Sequence, residues 1–127
     1  MGYWEYSRTA NISELKGKIL NDVKVVDNDT IYFYCEDGNT YKMYHDQDCC
    51  ESVTIEDICG SIKDLIGSSI LMAEEINEER EPLDKYDESY TWTFYKLATV
   101  KGYVTLRWYG TSNGYYSESV DFVLMHN

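Results

Sequence analysis

Apolar and polar positions along this chain follow a period of two far more often than a period near 3.6, and the runs are short. "TIYFYC" (Thr30–Cys35) and "TYKMY" (Thr40–Tyr44) alternate, and Lys18 to Val26 does so imperfectly. In "SVTIEDI" (Ser52–Ile58), Val53 and Ile55 fall on one face and Thr54 and Glu56 on the other. That period is the signature of half-buried strands. Asp37-Gly38 supplies a strong hairpin signal, because glycine takes the positive φ that a tight turn needs. "DND" (Asp27–Asp29) predicts a turn before it. The C-terminal third reads as three β runs, "SYTWTFYKLATV", "YVTLRWYG" and "YYSESVDFVL", broken at Lys101-Gly102 and at Ser112-Asn113-Gly114.

Two segments predict short helices instead. Asn11 or Ser13 can cap a turn through Leu15 and Lys16 that ends at Gly17. Ser61 can cap another whose face is Ile62, Leu65 and Ile66, with Gly67 just past its end. "SILMAEEIN" (Ser69–Asn77) suits a strand, because a helix would have to restart directly after a glycine stop. The expected architecture is α+β: a single domain over residues 1–127, dominated by an antiparallel sheet of about seven or eight short strands with one or two short helices. Residues 74–88 hold eight acids against Arg80 and Lys85, with Pro82 among them, so a mobile acidic loop is expected at about 78–89.

Charge then narrows the partners. Eleven basic against twenty-three acidic residues leave a formal net charge of −12. Phosphate backbones and anionic membrane surfaces need clustered Lys and Arg, so direct binding to either is not expected. A basic partner, such as a protein that itself holds nucleic acid, fits that charge; so does plain solubility. The thirteen tyrosines suit pleated surfaces and interfaces alike. Met1 to Ala10 lacks the apolar core of a signal peptide and no run reaches the length of a membrane span, which gives a cytoplasmic expectation. In that compartment Cys35, Cys49, Cys50 and Cys59 are expected as reduced thiols.

The densest chemistry lies in "HDQDCCES", His45 to Ser52. His45, Cys49, Cys50 and Cys59 offer zinc-binding atoms, but adjacent cysteines on extended backbone point apart, and structural zinc prefers separated pairs. One of Cys49 and Cys50 is expected to face the core and the other water. Asp46, Asp48 and Glu51 alternate as cation ligands could, without the glycine and terminal glutamate of a calcium loop. The remaining histidine, His126, is too near the end of the sequence to complete a phosphohydrolase site. No nucleophile elbow or phosphate-binding loop is present. No metal, cofactor or catalytic residue is therefore assigned, and the stretch is expected to end one strand and begin the next.

Two surfaces remain as candidates. The acids Asp46, Asp48, Glu51, Glu56 and Asp57, with Glu78 and Glu79 as auxiliary charge, would face a partner. Alternatively, Arg107, Trp108, Tyr109, Tyr115, Tyr116 and Ser117 of a C-terminal hairpin would hold a nucleotide, with Arg107 and Tyr109 on one sheet face and Trp108 on the other.

Taken together, "HDQDCCESV", "TWTFYK", "KGYVTLRWYG" and "SNGYYSESVDF" resemble a family of small uncharacterised proteins encoded by phages and prophages of Gram-positive bacteria, from about Val25 to Phe122. The resemblance implies a phage or prophage origin and a small cytoplasmic product of a bacterial host, and it carries over no functional residues. Small acidic proteins of that origin often inhibit host defence. The leading expectation is thus a non-enzymatic inhibitor that blocks a host defence factor handling nucleic acid, by charge mimicry. The alternative is a sponge for a nucleotide or nucleotide-derived signal. A third and weaker reading is a cation-dependent enzyme centred on His45. Exposed sheet edges also admit a homodimer.

Overall fold

A computed structural model describes residues 6–77 and 80–126. Nine strands run in chain order: β1 (Tyr6–Thr9), β2 (Leu20–Val26), β3 (Thr30–Cys35), β4 (Thr40–Tyr44), β5 (Ser52–Cys59), β6 (Met72–Ile76), β7 (Ser89–Thr99), β8 (Gly102–Ser112) and β9 (Asp121–His126). They form a five-stranded sheet in the order β1-β9-β4-β3-β2 and a four-stranded sheet in the order β5-β8-β7-β6. Every strand pairing is antiparallel.

The dominance of antiparallel strands matches the sequence; the helical component of an α+β fold does not. The two expected helices are single 3-10 turns, Ile12–Leu15 and Ile62–Leu65, and no α-helix occurs among the described residues. Local chemistry explains their brevity. Asn11 caps the first turn through Ser13 N–H at 2.9 Å and Glu14 reaches back to the Asn11 N–H at 3.3 Å, but Gly17 at φ +88° ends it at once. Each turn supplies buried apolar side chains, Ile12 and Leu15 from one and Leu65 from the other, to the core between the sheets.

That core draws on both sheets. Leu20, Ile31, Phe33 and Met43 come from the five-stranded sheet, and Val53, Leu97, Val104, Leu106 and Trp108 from the four-stranded one. The period of two is visible directly: β3 alternates Ile31, Phe33 and Cys35 inward with Tyr32 and Tyr34 outward. Gly38, at φ +93°, closes the β3–β4 hairpin at the expected Asp37-Gly38 turn.

Two irregularities position surface residues. A bulge between Ile55 and Asp57 inserts Glu56 into β5. Ile55 pairs inward with Trp108; without the extra residue Asp57 would share its face, but the bulge turns Asp57 and Cys59 outward and returns Ile58 to the core. The second irregularity is the connection after β8. Ser112-Asn113-Gly114 turns the chain as the sequence predicts, but no hairpin follows, because β9 starts only at Asp121 and joins the other sheet. Residues 113–120 fold back over Gly110, where an added Cβ would stand 2.7 Å from the Glu118 carbonyl oxygen. Only glycine leaves that path open.

A second apolar cluster, Trp92, Phe94 and Tyr109, lies on the outer face of the four-stranded sheet. The acidic loop covers it and is pinned there. Trp92 Nε1–H donates to the Glu81 carbonyl at 3.1 Å, the Leu83 N–H donates to the Tyr109 hydroxyl at 3.1 Å, and that hydroxyl donates to Asp87 at 2.5 Å. Three hydrogen bonds thus tie the otherwise exposed segment 81–87, part of the expected loop, to the sheet. Glu78 and Glu79 lie outside the described residues.

Candidate functional site

The loop between β4 and β5 is built around one buried carboxylate. Glu51 has a fully enclosed side chain, and the side chain of His45 beside it is 4% exposed. His45 Nε2 stands 2.7 Å from Glu51 Oε2, and His45 Nδ1 stands 2.7 Å from the Ser119 carbonyl oxygen. A carbonyl can only accept, so Nδ1 carries a proton. A carboxylate on the other side calls for a proton there as well, and the pair is an imidazolium–carboxylate bridge. Glu51 also accepts from the Asp48 and Cys49 N–H groups, each at 2.9 Å, and Gln47 donates to the Glu51 carbonyl at 2.8 Å.

The electrostatics follow from these contacts. Burial works against a charged His45, but the hydrogen bonds to Glu51 and Ser119 and the nearby charges of Glu51 and Asp121 outweigh it, so its pKa is raised. The His45 hydrogen bond and the two backbone N–H groups hold Glu51 down at about 2. Glu51 is thus a structural anchor, inward and spoken for, and does not face a partner as the sequence reading proposed. Cys49 and Cys50 are joined to each other in a disulfide, where reduced thiols were expected, and both are exposed. They sit in a bend, not on an extended strand, so the argument that neighbours must point apart does not apply. Cys35 is the buried thiol and Cys59 an exposed one.

Around this anchor the fold gathers acids at one end of the sandwich. Thr30, Tyr44 and Asp121 lie side by side across β3, β4 and β9. The Asp46 N–H donates to Asp121 at 3.0 Å, and the Ile55 N–H donates to the Asn28 carbonyl at 2.5 Å, which ties the β2–β3 turn to the start of β5. Asp27, Asp29, Asp46, Asp48 and Glu56 are exposed there, with Asp121 half-buried between them. No lysine or arginine lies between Lys24 and Lys42, between Lys42 and Lys63, or after Arg107, so the segments that build this end bring no cation except His45. A cavity of about 340 Å³ opens among His45, Asp46, Asp48, Glu51, Ser117 and Asp121. At the other end the signs are mixed: Lys18 meets Asp37 at 2.5 Å, and Lys101 Nζ donates to the Ile66 carbonyl at 2.6 Å.

The alternative set, Arg107 to Ser117, is not brought together. Arg107 and Tyr109 do share the outer face of β8, as expected. Trp108 is 1% exposed inside the core, closed to any ligand. Tyr109 lies under the acidic loop. Tyr115 is 89% exposed on the connection beyond β8, and Ser117 bonds Ser119 there at 2.7 Å. At about 3.3 Å per residue the end of β8 is roughly 16 Å from Arg107, so Tyr115, Tyr116 and Ser117 belong to the acidic end. The true neighbours of Arg107 are Trp92 and Phe94, whose ring centroids lie 5.4 and 5.7 Å from its guanidinium carbon, and Asp57 at 3.5 Å. Asp57 is therefore a partner of Arg107 on the sheet face.

Among the described residues no group of three or more His, Cys, Asp or Glu side chains converges as a metal site would require, and no helix is long and apolar enough to cross a membrane. Fold and surface define an all-antiparallel two-sheet domain with a cluster of acids at one end. By sequence the chain belongs to the family described as a domain of unknown function, DUF7448, whose model matches residues 13–122. No curated protein and no solved structure matches it.

Proposed function

We propose that this protein is a non-catalytic binding module that occupies the basic surface of a partner protein with its acidic end. A host factor that handles nucleic acid is the class of partner that such a surface suits, because its substrate site is already selected for negative charge. The observation that carries the reading is local: Asp27, Asp29, Asp46, Asp48, Glu56 and Asp121 gather where the contributing segments bring no lysine or arginine to offset them. The His45–Glu51 bridge serves this surface by fixing the loop that carries Asp46 and Asp48.

The test is retention of bacterial lysate proteins on the immobilised chain, compared between two variants of equal charge. Asp46→Asn with Asp48→Asn and Glu56→Gln neutralises the acidic end. Glu36→Gln with Glu74→Gln and Glu81→Gln neutralises exposed acids elsewhere. The first triple should lose a specifically retained protein that the second keeps, and retention by the unmodified chain should fall more than about tenfold between about 0.05 and 0.3 M salt. Equal losses from both triples, or retention indifferent to salt, would remove the reading.

A further inference from the structure

On a different face from the acidic end, the outer side of the four-stranded sheet holds, beside the acidic loop, a cavity of about 240 Å³ lined by Cys59, Arg80, Phe94, Lys96, Thr105 and Arg107. We propose that this cavity is a binding site for a small phosphorylated molecule. Three of the chain's eleven lysines and arginines line it, in a protein of net charge −12. For Lys96 and Arg107 the convergence is a consequence of register; Arg80 joins them from the β6–β7 connection. Lys96 pairs with Thr105 and Phe94 with Arg107 across β7 and β8, while Cys59 pairs with Thr105 and Asp57 with Arg107 across β5 and β8. Directly opposed residues on one face lie about 5 Å apart at Cβ, so these side chains surround one point.

The two guanidinium groups lie over an aromatic bed. The guanidinium carbon of Arg80 is 5.0 Å from the Phe94 centroid, and Arg107 lies over both Phe94 and Trp92. Phe94 and Trp92 are themselves stacked, with planes 3° apart. The Arg107 guanidinium, the Lys96 ammonium and the Thr105 hydroxyl line the cavity as donors that suit the oxygens of a phosphate.

The surroundings limit the ligand to something small. Asp57 reaches Arg107 at 3.5 Å, and Glu74 pairs with Lys96 on the β6 side, so acids close both flanks. The pinned acidic loop runs along the same face. A polyanion would have to cross these charges, whereas one phosphate or pyrophosphate group with a small substituent would not. The volume also falls below the usual range for whole drug-sized ligands.

The test titrates the full chain with sodium pyrophosphate at constant ionic strength, reading thermal stability and the alkylation rate of Cys59, the exposed free thiol on the cavity wall. A saturable rise in Tm and a several-fold slowing of alkylation are expected. Lys96→Gln and Arg107→Gln should each weaken binding by about tenfold, as loss of a charge-assisted contact does. Asp57→Asn should tighten it, because it removes a competing carboxylate; since that variant gains affinity, a folding defect cannot imitate the result. The proposal is overturned if pyrophosphate gives no saturable shift, if Lys96→Gln binds as well as the unmodified chain, or if a single-stranded oligonucleotide binds at the cavity more tightly than pyrophosphate.

Discussion

The acidic end and the small cationic cavity on the outer face of the four-stranded sheet are built in opposite ways. The acidic end is made of connections: the β2–β3 turn, residues 45–51 and residues 113–120, held in place by hydrogen bonds to Glu51, Asp121 and Asn28. The cationic cavity is made mostly of strands: all its lining side chains except Arg80, which comes from the β6–β7 connection, are placed by β5–β8–β7 register. The difference teaches where each region is vulnerable. A loop surface depends on a few buried polar contacts and fails when one is removed. A strand surface fails only with the sheet, and its chemistry can be altered one side chain at a time.

The two regions share one foundation, so the largest effect should erase the contrast. Trp108→Ala empties the inter-sheet core beneath both, and a loss of about 3–5 kcal/mol is expected in chemical denaturation. Exposed Tyr115→Ala, on the connection beyond β8, should change stability little.

Next in size is the bridge inside the acidic end. His45→Ala leaves Glu51 enclosed without its cation and should lower Tm by roughly 5–10 °C. Hydrogen exchange should rise at the Asp48 and Cys49 amides while amides of β7 and β8 stay protected. Uniform loss across both regions would contradict the separation drawn here. The bridge also sets a pH window. Because the His45 pKa is raised, its stabilising share is complete below the ordinary 6.5 and fades as pH climbs through the higher folded value. Because Glu51 is lowered to about 2, its share is complete above the ordinary 4.5 and fades as pH falls. The stability gap between the unmodified chain and Glu51→Gln should therefore be widest between pH 4.5 and 6.5 and narrow on either side.

The smallest effect sharpens the other region. Tyr109→Phe removes the hydroxyl that bonds both Leu83 N–H and Asp87. A cost of about 1 kcal/mol is expected, with faster proteolysis confined to residues 81–87. If that segment were cut at the same rate as before, its pinning by Tyr109 would carry no weight.

Much of the strand pattern could be read from the chain, because alternation and glycine turns are local. "HDQDCCES" does end β4 and lead into β5, and Asp46 and Asp48 are exposed as expected. What escaped the sequence is non-local. The enclosure of Glu51 depends on the His45 ring reaching Ser119, seventy-four positions away. The bulge at Glu56 shifts the phase of β5 and so decides which way Asp57 points, and an alternation template has no place for an extra residue. The company of Arg107 depends on strand order. Phe94 and Lys96 share a parity on β7 and Thr105 and Arg107 share one on β8, a signal the sequence does contain, but pairing them needs the β7–β8 turn placed to the residue. The chain's excursion to the other sheet after Gly114 misled in the opposite direction, by suggesting a hairpin that would have set Tyr115 and Tyr116 beside Arg107.

The separation of charge is tested most directly by an amide chemical-shift titration of the isotopically labelled chain with an oligolysine peptide, which reports every surface at once. Shifts concentrated at residues 27–29, 45–51 and 117–121, diminishing with added salt, are the predicted result. Shifts of equal size at Glu36, Asp37, Glu74 and Glu81 would mean that the acids act as a diffuse cloud, and the acidic end would lose its standing as a binding surface.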